Sequence, residues 1–285
     1  MYAAIEAGGT KFVVAAGPDR QSLDLARFPT RGPDETLADV IGWLRERGPF
    51  EGVGIGAFGP IDPAPTSPTY GTLGATPKPG WAGVALGARV GEALGAPWRL
   101  DTDVNAAAVA EGRWGAAQGL SDFLYLTIGT GIGGGAVAGG RLVHGLLHPE
   151  MGHVLLPPQP DDPFEGHCPF HGRCLEGLAA GPAIEARWGV PAATLPPDHP
   201  AWDLEARHLA AGLHALSCVL SPQRIVLGGG VMEVPGLLER TRTHLATSLA
   251  GYLELPSDFL VRTGLDGVAG LHGAFALAVD AAAGA

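Results

Sequence analysis

The sequence predicts an α/β protein built from two related halves, and three observations carry that prediction. Short apolar runs closed by glycine turns alternate with segments of helical period. One hairpin pattern occurs twice: IEAGGTKFVVAAG and IGTGIGGGAVAGG share an apolar strand, a Gly/Thr turn, a second apolar strand and a closing Ala-Gly. Matching Gly8 to Gly131 sets the copies 123 residues apart, far beyond the period of a solenoid.

The elements follow in order. Residues 2–7 and 11–16 read as a hairpin around Gly8-Gly9-Thr10. Residues 34–48 have apolar positions at helical spacing and stop at Gly48, and 52–61 form a buried strand that runs into a loop. A second helix is expected over 81–95, and 97–115 is a strand that becomes an Ala-rich helix near Thr102. The second hairpin spans 123–140. Residues 204–220 form a helix in which Cys218 reads as a small buried apolar side chain, 224–232 a strand ending in glycines, and 267–283 a closing helix. Segments 62–80 and 156–173 are long and Pro-rich, which marks them as functional or disordered loops, and a domain boundary is expected near residues 103–121.

Composition narrows the function. With 46% hydrophobic and 16% charged residues the chain can bury a large core and is not disordered. A net charge of −11 with no Lys/Arg cluster disfavours nucleic acid as a partner. The opening MYAAIEAGGTKFVVAAG has no basic region leading into an apolar one, and no apolar run approaches membrane-spanning length, so a cytoplasmic protein without a membrane partner is expected.

Three glycine-rich stretches, Gly8-Gly9-Thr10-Lys11, Gly129 to Gly134 and Gly228-Gly229-Gly230, each follow an apolar strand. Turns of successive N–H groups form anion nests, so a polyphosphate is the natural ligand, although none matches the GxxxxGK[ST] loop. Asp101-Thr102-Asp103-Val104-Asn105 lies where a strand becomes a helix. Helix capping accounts for Asp101 and Thr102; for Asp103, capping and a role as a proton-accepting carboxylate stand level on spacing alone. GHCPFHGRC, residues 166–174, admits a disulfide, a metal site or a plain surface turn, and a reducing compartment disfavours the first.

These stretches, together with GIGAFGPID, SPTYGTLGATPKPGW, DTDVNAAAVAEGRWGAA, HPEMGHVLL, HCPFHGRCLEGLAAGPAIEARWG and IVLGGGVM, resemble the ROK family of sugar kinases, and within it the bacterial zinc-containing fructokinases. The resemblance implies a two-lobed actin-like ATPase (ribonuclease H-like) fold, each lobe a mixed sheet with flanking helices, ATP and sugar lying in the cleft between lobes. It implies a small lobe of residues 1–112 completed by 267–285, and a large lobe of 113–266 with a zinc loop at 153–174.

The resemblance also implies roles. Asp103 would be the general base on a hexose hydroxyl, with Gly59, Pro60, Asn105, Glu150, His153 and Glu176 binding the sugar. Gly8, Gly9, Thr10, Lys11, Thr130 and Gly131 would bracket the ATP phosphates, with Gly229 and Gly230 near the adenosine and Glu6 holding magnesium through water. A structural zinc would take His153, Cys168, His171 and Cys174, with His167 as a rival ligand. Fructose is the expected substrate and glucose or mannose the alternative. A homodimer is implied. The family's repressors carry a DNA-binding domain ahead of the fold, whereas here the first strand starts at residue 2, and a silent sugar-binding protein would not need Asp103 with a full set of phosphate turns; an enzyme is therefore expected.

Overall fold

Strand β1 (Tyr2–Ala7) turns back into β2 (Lys11–Gly17) and β3 (Asp24–Pro29), and pairs on its other side with β4 (Gly52–Ala57), which pairs with β5 (Trp98–Thr102). This computed structural model describes residues 1–76, 78–265 and 267–284. Pro77 of the Pro-rich segment 62–80, Asp266 at the expected end of the large lobe and Ala285 of the closing segment lie outside the described residues. The first sheet runs β3-β2-β1-β4-β5, with β2 and β3 antiparallel and β4 and β5 parallel to β1. Between the strands come α1 (Pro33–Arg45), α2 (Leu86–Leu94) and α3 (Asp103–Trp114).

The second half repeats the plan. It contains β6 (Phe123–Ile128), β7 (Ile132–Ala138), β8 (Arg141–Leu142), α4 (Leu175–Ala179), α5 (Gly181–Trp188), α6 (Ala201–Leu220), β9 (Arg224–Gly228), α7 (Leu237–Leu249), β10 (Leu260–Arg262) and finally α8 (Ala269–Ala282). Its sheet order, β8-β7-β6-β9-β10, is the order of the first with each strand replaced by its counterpart. The register of the repeat differs from the sequence match. Ala7 pairs Phe12 where Ile128 pairs Ile132, so the copies lie 121 residues apart on the first strand and 120 on the second. The second turn is one residue shorter, which a match on Gly8 and Gly131 could not register.

The chain separates into two compact units, Met1–Gly115 with Leu142–Pro149 and Leu265–Ala285, and Ala116–Arg141 with Glu150–Gly264. Segment 142–149, expected in the second lobe, groups with the first unit because His144 reaches Asp101 and His148 Nε2 accepts from the Ile61 N–H at 3.4 Å.

In the first unit both faces of the sheet are covered, which is why its strands read as continuous apolar runs. Ile5, Phe12, Val14, Ile55, Leu37 and Trp81 pack on one face, while Ala4, Val13 and Ala15 meet Leu271, Ala274 and Phe275 of α8 on the other. α1 opens on Pro33, whose fixed φ suits a first turn, followed by Asp34 and Glu35 against the helix dipole. It ends at Arg45, not 48. The strand expected over 52–61 ends at Ala57, and the helix expected from 81 starts at Leu86. Trp81 is buried in the preceding turn, where its Nε1–H donates to Arg31 O at 2.9 Å. Cys218 is exposed, contrary to expectation. It shares the outward stripe of α6 with Arg207, Ala211 and His214, none of which is buried. No helix among the described residues is long and apolar enough to cross a membrane.

Candidate active site and metal centre

Because β1, β4 and β5 run parallel, the segments that leave them share one edge of the first sheet. That edge carries Glu6 and the Gly8–Lys11 turn, the Phe58–Ile61 segment with Gly59 and Pro60, and the start of α3 with Asp103 and Asn105. The turn is pinned from outside: Thr30 Oγ1 donates to Gly8 O at 2.7 Å and Thr30 N–H to Thr10 O at 2.9 Å. Pro60 O accepts from the Gly74 N–H at 2.7 Å, which folds the long Pro-rich loop back on its own start. Burial raises the Glu6 carboxyl above its ordinary range, against the charges of Lys11 and Arg27.

The two aspartates at the head of α3 separate clearly. Thr102 is the cap, its hydroxyl accepting from the Asn105 N–H at 3.1 Å, and Asp101 is not. Asp101 is buried, and both its oxygens are engaged: Oδ1 accepts from Thr102 N–H at 2.8 Å and Asn105 Nδ2 at 2.7 Å, and Oδ2 lies 2.9 Å from His144 Nε2. The hydrogen bond to Asp101 raises the His144 pKa, against its partial burial. Asp103 is the first residue of the helix, half-buried, with Oδ1 accepting from the Val104 N–H at 2.9 Å. Asn105 is wholly buried; its amide nitrogen serves Asp101 and its Oδ1 has no protein partner. Sequence reasoning missed His144, since 39 residues separate it from Asn105 and nothing local marks the pairing.

In the second unit β6 and β9 are parallel, so the Gly129–Gly131 turn and the Gly229-Gly230 pair leave the same sheet edge. Gly229 has φ +90°, and a Cβ there would meet the Ile128 carbonyl oxygen at 2.3 Å, so only glycine fits. Glu176 Oε2 accepts from the Ile132 N–H at 2.9 Å and would stand 2.7 Å from a Cβ at Gly131. The carboxylate assigned to sugar thus also fastens the turn assigned to phosphate, which itself ends in exposed Thr130. Glu150 precedes a short 3₁₀ turn (Met151–His153) and its carbonyl accepts from the His153 N–H at 3.0 Å.

The four expected zinc ligands come together. His153 Nδ1 lies 3.5 Å from Cys174 Sγ and 3.9 Å from Cys168 Sγ, His171 Nδ1 lies 3.7 Å from Cys168 Sγ, and all four ligand atoms fall within 4.8 Å of one another. Tetrahedral zinc with its usual bond lengths requires ligand separations of about 3.3–3.8 Å, so the residues fit the ion. Cys174 also caps α4, its Sγ accepting from the Gly177 N–H at 3.3 Å. Burial pushes its thiol up to about 11, a cost that coordination to a cation would reverse. His167 is exposed and outside the group. Because His153 turns Nδ1 to the sulfurs, its Nε2 is the nitrogen left over.

A second polar cluster sits behind the loop on α5 and α6. Asp162 is held by Arg187 at 3.2 Å and by His208 Nε2 at 2.9 Å, and Arg173 donates to the carbonyls of Phe164 and Asp162. Burial lowers the His208 pKa to about 4, helped by Arg187, and raises that of Glu205, whose two oxygens lack partners, far above the usual carboxylate range. The sequence carried no signal for this cluster beyond two polar residues on an apolar helix.

The family model described as "ROK family" matches residues 2–281. The fructokinase of Zymomonas mobilis is 43% identical over 99% of this chain and 97% of its own length. Among solved structures, a ROK hexokinase from Thermus thermophilus superposes with a TM-score of 0.79 at 32% identity, covering 98% of this chain and 97% of that one. A ROK family glucokinase from Streptomyces griseus, in complex with glucose and AMPPNP, gives 0.76 at 27% identity over 98% and 99% of the two chains.

Proposed function

The chain belongs to the ROK family, and from that premise we propose that it is an ATP-dependent kinase converting D-fructose to D-fructose 6-phosphate. The observation that carries the reading is the placement of Asp103 at the start of α3, on the same sheet edge as the Gly8–Lys11 turn. Asp101 is engaged through both oxygens, which favours Asp103 as the carboxylate for the reaction. As the C6 oxygen of the sugar attacks the γ-phosphorus, its proton passes to the Asp103 carboxylate, the bond to the β–γ bridging oxygen breaks and ADP leaves.

Gly59, Pro60, Asn105 Oδ1, Glu150, His153 Nε2 and Glu176 are assigned to the sugar, since acceptors of this kind suit several O–H donors at once. Gly8–Lys11, Thr130 and Gly131 are assigned to the phosphates, and Gly229 and Gly230 to the adenosine. Magnesium, when bound with ATP, neutralises phosphate charge; Glu6 would hold it through water. Zinc would be structural, held by His153, Cys168, His171 and Cys174, tying a sugar-facing histidine to the segment that leads into Glu176. The lobes are read as 1–112 with 267–285 and 113–266, except that segment 142–149 is taken with the first; the protein is read as cytoplasmic and the assembly as a homodimer.

Fructose is favoured over glucose because the Zymomonas fructokinase is 43% identical and the Streptomyces glucokinase 27%. ADP release across fructose, glucose, mannose and N-acetylated hexosamines tests the reading. Fructose should give the highest kcat/KM. A preference for glucose or mannose replaces the substrate, and no turnover on any sugar overturns the kinase itself in favour of a silent sugar-binding protein.

A further inference from the structure

The 285 residues include sixteen arginines and two lysines, Lys11 and Lys78. Although 67 positions separate them in sequence, both stand at one glycine turn: a Cβ on Gly9 would meet Lys78 Cε at 3.6 Å, so the aliphatic stem of Lys78 lies over the residue two before Lys11.

This placement is built. Trp81, wholly buried, donates from Nε1 to Arg31 O and packs edge-on against Phe12 and Phe58 at 5.3 and 5.7 Å. The Trp81 N–H closes a turn on Lys78 O at 3.2 Å. Thr30, next to Arg31, holds the carbonyls of Gly8 and Thr10. The indole that anchors the lysine loop and the threonine that anchors the glycine turn therefore hang from the same two residues of chain.

The cations differ in employment. Several arginines serve the architecture: Arg187 grips Asp162, Arg207 Asp161, Arg113 Asp280 and Arg224 Asp258. Among the described residues neither lysine pairs with a carboxylate or hydrogen-bonds through its ammonium. An arginine is a planar fork suited to carboxylates, whereas an ammonium is a compact charge that can follow a moving phosphoryl oxygen.

We propose that Lys78 is a catalytic residue of the phosphoryl transfer, its ammonium contacting the terminal phosphoryl group of ATP from above the Gly8–Lys11 turn. This rests on the reading of that turn as the phosphate site. The charge on the transferring group's equatorial oxygens gains a fixed cation in addition to Lys11, and no proton moves to or from Lys78.

Lys78→Gln should lower kcat about 10²-fold while the fructose KM changes less than about threefold, and Lys78→Arg should recover part of the loss. A Lys78→Gln enzyme with wild-type kcat overturns the proposal; wild-type protein inert on every hexose overturns the kinase reading instead. A second readout needs no variant and no turnover. With only two lysines, acetylation by an amine-selective ester can be followed at each by mass spectrometry, with the Met1 amine as internal standard. Saturating magnesium AMPPNP should slow labelling of Lys78 at least about tenfold and leave Met1 unchanged; equal labelling with and without the nucleotide refutes the contact.

Discussion

Asp101 and Asp103 are two positions apart and chemically identical, yet the fold gives them different work. Asp101 is enclosed by Thr102, Asn105 and His144, so its charge is spent on holding the head of α3. Asp103 keeps one oxygen on the Val104 N–H and remains half-buried at the sheet edge. Asp103→Asn should therefore retain ATP and fructose binding, measured by calorimetry, while kcat falls roughly 10²- to 10⁴-fold, the usual worth of general-base assistance; undiminished turnover would remove Asp103 from the mechanism. At this scale the sequence was partly legible. It marked both aspartates and Thr102 as belonging to a helix start, because capping is local chemistry. It could not divide the roles of the aspartates, because the division depends on His144, which arrives from the loop after β8.

Among the elements, the zinc loop shows how a short motif organises a wider region. The residues alone left a disulfide, a metal site and a surface turn open at Cys168, His171 and Cys174; the set of four with His153 came with the resemblance, and the structure brings the four together. Cys174 joins the metal group to the first turn of α4, whose next residue but one, Glu176, fastens the Gly131 turn. Cys174→Ser should reduce zinc below one per chain by elemental analysis, lower the melting temperature, and raise the fructose KM on the order of tenfold with a smaller change in kcat. A metal-free protein with unchanged KM and stability would show that the four ligand atoms meet without holding zinc. Helices and strands were found where the apolar period was clear, and their ends were displaced where tertiary contacts intervene. Trp81 leaves α2 to fill the core, and Cys218 follows the period of α6 outward although the surrounding composition is apolar.

For the whole molecule, stability should depend on pH through two buried groups of the second unit that act in opposite directions. His208, lowered to about 4, stays neutral in the fold while the unfolded chain gains a proton, so stability falls as pH drops from about 6.5 towards 4. Glu205 keeps its proton in the fold, so stability falls as pH rises above its ordinary range, by about 1.4 kcal/mol per unit until its raised pKa is reached. Glu205→Gln should then melt above wild type at pH 8 and nearly level with it at pH 5; a gap that does not vary with pH would mean that Glu205 does not carry this cost. The sequence by itself determined the duplicated α/β plan, the glycine turns at strand ends and the helix start that holds Asp103, because periodicity, capping and turn chemistry act between near neighbours. Only the tertiary structure decided that Asp101 is occupied, that His144 and residues 142–149 join the first unit, that Glu205 and His208 are buried, and that the chain's two lysines meet at one turn. Those outcomes depend on strand order and on side chains such as Trp81 packing across the core, and they bring together residues whose spacing along the chain carries no trace of the contact.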